Sequence, residues 1–149
     1  MGRSEPPVRP EGRLMLLLDS EAILAVAHGP IGRRDRVRAL AAEMRRRELP
    51  IATVAAVLAE VVRGRPSDAG VFAGLRRERV EVHPVDTRTG VRAGQLLGRV
   101  GAGSEMAIDA FLIATGDVLG GAMVATVDPD DLRSLAAYAT HVTVVNLDG

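Results

Sequence analysis

The sequence predicts an α/β fold in which a mostly parallel β-sheet carries helices on both faces. Continuous apolar runs over residues 14–18 and 123–127 lack polar alternation, which is typical of strands buried on both faces. Segments with helical periodicity separate these runs from weaker strand patterns in residues 50–53, 80–86 and 141–147. Strands that alternate with helices along a chain usually pair in parallel, so this order predicts three layers, α/β/α.

The first third of the chain begins with a segment that we exclude from the fold. Residues 1–13 are rich in proline, glycine and charge, and they predict a flexible leader before a single domain over residues 14–149. After the first strand, Asp19 and Ser20 are residue types that cap helices, and a short helix is expected over residues 21–27. An arginine-rich amphipathic helix follows, with an apolar stripe formed by Val37, Leu40, Ala41 and Met44.

Capping residues predict the helix boundaries in the rest of the chain. The stretch VAAVLAEVVRG is expected to be a helix that ends at Gly64, since a left-handed glycine commonly ends a helix. Ser67 and Asp68 are expected to cap the next helix, and residues 87–101 show a weaker helical pattern. Pro129 is expected at the first position of the last helix, before the final strand.

The composition excludes several kinds of functional site. The chain has no cysteine, so it has neither a thiolate zinc site nor a cysteine nucleophile. It contains two phenylalanines, one tyrosine and no tryptophan, which argues against recognition of nucleic-acid bases by aromatic stacking. The nineteen basic residues are all arginines, and nineteen acids balance them. Contacts to phosphates must therefore come from local arginine groups.

Two acids stand alone inside apolar helical stretches. Glu60 lies in IATVAAVLAEVVRG and Asp109 in MAIDAFLIAT, and neither stretch has the pattern of a solvated helix face. An ionised carboxylate that faces a core is costly unless it is paired, protonated or bound to a cation. No arginine lies at helical spacing from Asp109 to neutralise it. We therefore expect these acids to have a partner.

Two further acids end strand-like runs. Asp19 follows LMLLL and Asp128 follows MVATV, at the position where open α/β sheets place their ligand crevice. Capping of the following helix would explain either residue without a further role. Glu105 and Asp117 fall near helix ends where water is accessible, and we expect Asp117 to be solvated. Glu105, one turn before Asp109, could join the acids of the site, but the helix dipole also favours an acid in this first turn. Four carboxylates meeting at the crevice would form a site for a hard cation such as Mg²⁺ or Mn²⁺, which can promote phosphodiester hydrolysis.

The order of these motifs resembles that of the PIN-domain ribonucleases, and most closely the VapC toxins of bacterial toxin–antitoxin modules. The matching segments are LLLDSEAIL, AAVLAEVVRG, AIDAFLIATG and VATVDPDDLRSL, and the resemblance spans residues 14–147. By position, the acidic quartet that binds the metal in this family corresponds to Asp19, Glu60, Asp109 and Asp128. A further acid and two hydroxyls that some members carry correspond to Asp131, Thr126 and Ser20.

The resemblance implies a PIN-like sheet of about five parallel strands and a Mg²⁺-dependent or Mn²⁺-dependent endoribonuclease. It also implies a homodimer, a cognate antitoxin that covers the active-site groove, and a structured RNA substrate such as transfer or ribosomal RNA. Without a signal peptide or membrane span in the sequence, a cytoplasmic protein is expected. Arg63 and Arg65 follow Glu60 by about one helical turn and are candidates to contact the RNA or the antitoxin, although they could equally complement a helix end.

Other function classes fit the residues less well. A receiver-like signalling domain needs a lysine near its end, and this chain has none. A phosphatase with an aspartate nucleophile needs Asp-x-Asp after the first strand, where this chain has Asp19-Ser20-Glu21. A catalytically degenerate PIN-fold module that binds RNA or regulates another protein stays open as the alternative, because a sequence does not show whether the four acids meet.

Overall fold

The computed structural model describes residues 14–149, and the predicted leader of residues 1–13 lies outside the described residues. The first elements along the chain are β1 (Met15–Leu18), α1 (Ser20–His28), α2 (Ile31–Arg46), β2 (Ile51–Val54), α3 (Ala55–Val61), α4 (Asp68–Arg77) and β3 (Glu81–His83). They are followed by α5 (Thr87–Val100), a 3₁₀ turn (Ser104–Met106), α6 (Ala107–Val118), β4 (Ala122–Thr126), α7 (Pro129–Ala136) and β5 (Val142–Asn146).

The five strands form one sheet in the order β3-β2-β1-β4-β5, and every neighbouring pair is parallel. The chain runs from β1 outward to β3 on one side and from β4 to β5 on the other. Crossovers between parallel strands are almost always right-handed, so crossovers in these two directions place helices on both faces of the sheet. The predicted α/β architecture is therefore confirmed. The order reverses between β1 and β4, which is where sheets of this kind form a crevice beyond the carboxyl ends of their strands.

The central strand explains why its sequence shows no alternation. All four residues of β1, Met15–Leu18, are buried, because helices cover both of its sides. Leu17 lies beside Ala52 of β2 and beside Val124 of β4, so β1 is paired along both edges. The carboxyl ends of β1, β2 and β4 are thus held next to one another.

Helix α2 has the predicted apolar stripe. Val37, Ala41 and Met44 are buried, and Leu40 packs partly buried against the core. Two arginines in the last turns of helices have a structural role. Arg45 of α2 and Arg77 of α4 each lie 3.3 Å from a carboxylate oxygen of Glu78, a buried acid that the sequence did not single out.

One predicted helix end and one predicted capping bond are wrong. Helix α3 ends at Val61 and Val62 is already extended, so Gly64 is not the residue that terminates it. Gly64 has a φ of +72° in the loop that follows. Ser67 occupies the position before α4 but makes no side-chain capping bond. The Asp68 carboxylate turns back toward this loop, where it accepts the N–H groups of residues 63, 64 and 65.

Within residues 14–149, no helix combines the length and the apolar character needed to cross a membrane.

Candidate active site at the carboxyl edge of the sheet

Asp19 lies directly after the central strand and is buried, with 6% of its surface exposed. Its carboxylate accepts the N–H of Ala22 at 2.9 Å and so caps α1, as predicted. Its own N–H donates to the carbonyl of Ala125 in β4 at 3.3 Å. The position of Asp19 is therefore fixed by the strand before it, the helix after it and the neighbouring strand.

Burial raises the pKa of Asp19 to about 6, because an ionised carboxylate loses its hydration there. The Thr126 hydroxyl and the Ala22 amide oppose this shift by stabilising the charged form. The negative charges of Asp109 and Glu21 add to it. The side chain thus lies in an environment that favours either a proton or a bound cation.

Thr126 is the last residue of β4 and is buried, with 1% of its surface exposed. Its hydroxyl oxygen accepts the N–H of Asp128 at 3.0 Å, in addition to its interaction with Asp19. Asp128 itself is exposed and stands before Pro129 at the start of α7, but its side chain makes no capping bond. Capping alone therefore does not account for Asp128, contrary to the expectation from its position before proline.

Asp109 belongs to the first turn of α6, a helix that packs against β1, β2 and β4. It is half-buried, and burial is the main reason that its pKa is raised to about 6. Repulsion from three other carboxylates, those of Asp131, Glu60 and Asp128, raises the pKa further. Together with Asp19, whose pKa Asp109 raises in turn, these acids come from three other parts of the chain: the end of β1, α3 and the start of α7.

Glu60 and Asp131 complete the group but differ from the expectation for buried acids. Glu60 is exposed near the end of α3, so the prediction that it faces an apolar environment is wrong. The short helix α3 buries only Val57 and Val61, which leaves the other side of its second turn in water. Asp131 is exposed in the first turn of α7. We call the five residues Asp19, Glu60, Asp109, Asp128 and Asp131 the acidic group.

The negative charges of the acidic group are not neutralised by arginines within residues 14–149. None of its members takes part in an ion pair within residues 14–149. Nor do any three Asp, Glu or His side chains in this part of the chain stand close enough together to hold a metal ion. The donors are carboxylate oxygens, the type that Mg²⁺ and Mn²⁺ prefer. The exposed side chains of Glu60 and Asp128 would have to turn toward Asp109 to complete a ligand set.

Comparison with known proteins identifies the fold. The sequence matches no protein-family model, and no curated protein matches it. Its structure is similar to a chain in the crystal structure of VapBC2 from Rickettsia felis bound to a DNA fragment from their promoter, with a TM-score of 0.62. The match covers 89% of this chain and 98% of that chain at 16% sequence identity. This chain has a VapC-like PIN fold.

Within this PIN fold, Arg63 and Arg65 have different surroundings. The Arg63 guanidinium donates to the carbonyls of Ala59 and Glu60, at 3.2 and 3.0 Å, and so caps the end of α3. This is the helix-end role that the sequence left open. The N–H of Arg65 donates to Asp68 at 3.2 Å, and the residue is exposed.

Sequence reasoning missed one polar residue beside the site and misjudged an acid elsewhere in the PIN fold. The Thr53 hydroxyl, fully buried at the end of β2, donates to the carbonyl of Leu18 at 2.7 Å. Asp117 was expected to be solvated, but its side chain is only 10% exposed and accepts Nε of Arg92 at 2.7 Å. A lone threonine in a strand carries no signal for such a bond, and an ion pair between distant segments depends on the tertiary structure.

Proposed function

We propose that this protein is a divalent-metal-dependent endoribonuclease that hydrolyses RNA phosphodiester bonds and acts as the toxin of a toxin–antitoxin pair. The observation that carries the proposal is the acidic group, whose members come from four separate segments and have no arginine partner within residues 14–149. Repulsion among these carboxylates opposes folding unless a cation relieves it. Proteins keep such destabilising arrangements mainly where function requires them.

Asp19, Glu60, Asp109 and Asp128 would hold Mg²⁺ or Mn²⁺, and Asp131 would support them as a further acid. A bound divalent cation supplies a water molecule of lowered pKa and neutralises charge on the phosphate. The buried Asp19 and the half-buried Asp109 would provide the fixed part of the site, while the exposed Glu60 and Asp128 would adjust as the cation enters. Carboxylates alone, without His or Cys, favour these hard cations over zinc.

Residues around the acidic group would orient its carboxylates and contact the bound ligand or the RNA. Thr126 supports both strand-end acids, through the N–H of Asp128 and the carboxylate of Asp19. Ser20 is half-buried at the start of α1, and its hydroxyl would contact a water or phosphate bound beside Asp19. Exposed Arg65 lies in the loop after α3 and would attract the RNA backbone toward Glu60. A nearby cationic side chain matters here, because the carboxylates of the acidic group repel phosphates until a cation is bound.

The proposal extends to the partners and to the cellular compartment. The substrate would be a structured RNA, such as transfer or ribosomal RNA, and a cognate antitoxin would cover the acidic group. We also propose a cytoplasmic homodimer. The antitoxin is supported by the structural similarity to a chain of VapBC2, which was crystallised with promoter DNA. The RNA substrate, the homodimer and the compartment rest on the sequence motifs.

The second candidate is a catalytically degenerate PIN-fold module that binds RNA or regulates another protein. The observation that favours it is the arrangement within residues 14–149, where no three potential ligands stand close enough to hold a metal. Under this alternative the acids do not bind a cation with useful affinity. RNA would then bind to exposed arginines, such as Arg65, without being cut.

Cleavage of total RNA by purified, antitoxin-free protein separates the two candidates. The reaction is run with Mn²⁺ or Mg²⁺ and with EDTA, for the wild type, Asp109→Asn and Asp130→Asn. Asp130 is a suitable control because it is an exposed acid in the same first turn of α7 as Asp131, yet it is not among the charges that act on Asp109. We expect metal-dependent cleavage by the wild type and Asp130→Asn, and none by Asp109→Asn. Binding of RNA without cleavage in all three would favour the degenerate module.

A further inference from the structure

The peptide unit between Leu18 and Asp19 is held from both sides at the carboxyl edge of the sheet. On one side the N–H of Asp19 donates to the carbonyl of Ala125 in β4 at 3.3 Å. On the other side the carbonyl of Leu18 accepts the hydroxyl of Thr53 in β2 at 2.7 Å. Neighbours in β4 and β2 thus anchor both polar atoms of this unit, and the second anchor is a side chain.

Thr53 has no contact with solvent, since its exposed fraction is 0%. If its hydroxyl were removed, water could not readily replace the lost donor to the Leu18 carbonyl. The pairing of β1 with β2 sets the position of Thr53. Leu17 lies beside Ala52, so Thr53, the next residue of β2, lies beside Leu18. An apolar residue there would leave the Leu18 carbonyl without the hydroxyl donor that Thr53 supplies.

The Asp19 carboxylate depends on this end of β1. It is attached to the same backbone unit, and it also interacts with the Thr126 hydroxyl and accepts the N–H of Ala22, at 2.9 Å in the first turn of α1. A shift of the strand end would move the carboxylate relative to the Ala22 N–H and to Asp109, its acidic neighbour. The hydroxyl of Thr53 on β2 therefore holds one of the backbone atoms at the turn from β1 into α1.

We propose that Thr53 is a positioning residue that holds Asp19 in place for cation binding. Thr53 contacts neither the cation nor the substrate and acts through the Leu18 carbonyl. The effect on metal binding rests on the proposed function, whereas the effect on the placement of Asp19 does not. The two parts can therefore be tested separately.

Three variants test this role. Thr53→Val keeps the branched shape but removes the donor, and Thr53→Ser restores the hydroxyl. Thr115→Val is the matched control, because Thr115 is also buried and its hydroxyl also donates at 2.7 Å to a backbone carbonyl, that of Phe111 in α6. Urea unfolding of each variant separates a general loss of stability from a local change at Asp19.

The first measurement is hydrogen exchange of the Asp19 and Ala22 amides in metal-free protein, and the second is Mn²⁺ affinity by calorimetry. We expect faster exchange at both amides in Thr53→Val than in Thr115→Val, and an Mn²⁺ affinity lower by about tenfold, as for other residues that orient metal ligands. Thr53→Ser should recover most of both. The proposal would be overturned if the exchange rates of the Asp19 and Ala22 amides increased no more in Thr53→Val than in Thr115→Val. If the wild type neither binds Mn²⁺ nor cleaves RNA, the proposed function fails, and faster exchange in Thr53→Val alone still supports the positioning of Asp19.

Discussion

The carboxylate of Asp131 exerts the strongest charge effect on Asp109. The two residues lie in the first turns of different helices, α7 and α6. Burial is the larger cause of the raised pKa of Asp109, and among charges Asp131 acts more strongly than Glu60 or Asp128. The family resemblance assigned Asp131 only a place beside the acidic quartet. The fold gives it a direct electrostatic connection to the acid at the centre of the group.

Replacement of Asp131 tests this connection. Asp131→Asn removes a negative charge that disfavours ionisation of Asp109, so the pKa of Asp109 should fall below about 6. Carboxyl ¹³C shifts followed through a pH titration of metal-free protein would measure the change. Asp130→Asn should leave the titration of Asp109 nearly as it is. An equal shift in both variants would mean that general surface charge, rather than Asp131, acts on Asp109.

The raised pKa values predict how stability depends on pH in the absence of metal. Asp19 and Asp109 bind protons more tightly in the folded state, with pKa values of about 6, than in the unfolded chain at 3.8. Their contribution to stability is therefore present below about pH 4 and is lost as pH rises to about 6. For Asp19 alone this amounts to roughly 3 kcal/mol.

Urea unfolding in EDTA between pH 5 and pH 7.5 measures this loss. We expect the free energy of unfolding to be lower at pH 7.5 than at pH 5. Lower pH values are less informative, because the pKa values of Asp68, Asp86 and Asp148 are lowered by hydrogen bonds and these groups lose their stabilising effect in acid. A free energy of unfolding that rises from pH 5 to pH 7.5 would contradict the assignment for Asp19 and Asp109.

Asp19→Asn should separate stability from function. Asparagine can still accept the N–H of Ala22 and cap α1, but it carries no buried charge. The metal-free variant should therefore be more stable than the wild type at pH 7.5. Wild-type protein should gain thermal stability when Mn²⁺ is added, because a ligand that binds only the folded state stabilises it. We expect Mn²⁺ not to raise the thermal stability of Asp19→Asn. An increase in thermal stability equal to that of the wild type would exclude Asp19 as a ligand.

Arg63 and Arg65 should respond differently to the same substitution. Arg63→Gln breaks the guanidinium bonds to the carbonyls of Ala59 and Glu60 and should lower the free energy of unfolding by roughly 1 kcal/mol. Arg65→Gln should leave stability unchanged and weaken RNA binding, with a salt dependence reduced by about one phosphate contact. RNA titrations with an uncleaved substrate at several salt concentrations, beside urea unfolding, measure both effects. RNA binding that is unchanged in Arg65→Gln would remove this residue from the interface.

Local patterns were sufficient to predict the fold. The continuous apolar runs of β1 and β4 and the helical segments between strands predicted a parallel sheet, since burial on both faces leaves a direct imprint on sequence. Asp19 at the end of β1 and Asp109 in an apolar helix were predicted site residues for the same reason. Each breaks a pattern that packing otherwise imposes.

Features that depend on contacts between distant segments could not be predicted. The exposure of Glu60 follows from the shortness of α3, which ends at Val61 before a third turn can form. The pairing of Asp117 with Arg92 joins α6 to α5, and the bond from Thr53 to Leu18 joins two strands. None of these contacts leaves a periodic signal, because each requires knowledge of which elements are neighbours.

A crystal structure with Mn²⁺ would test most directly whether the acidic group is a cation site. Crystals of the antitoxin-free protein would be soaked in Mn²⁺, and the anomalous scattering of manganese would locate the ion independently of other density. The account predicts a peak in contact with the carboxylates of Asp19 and Asp109, with Glu60 or Asp128 turned toward it. A protein that takes up Mn²⁺ only away from these residues, or not at all at millimolar concentration, would contradict the account.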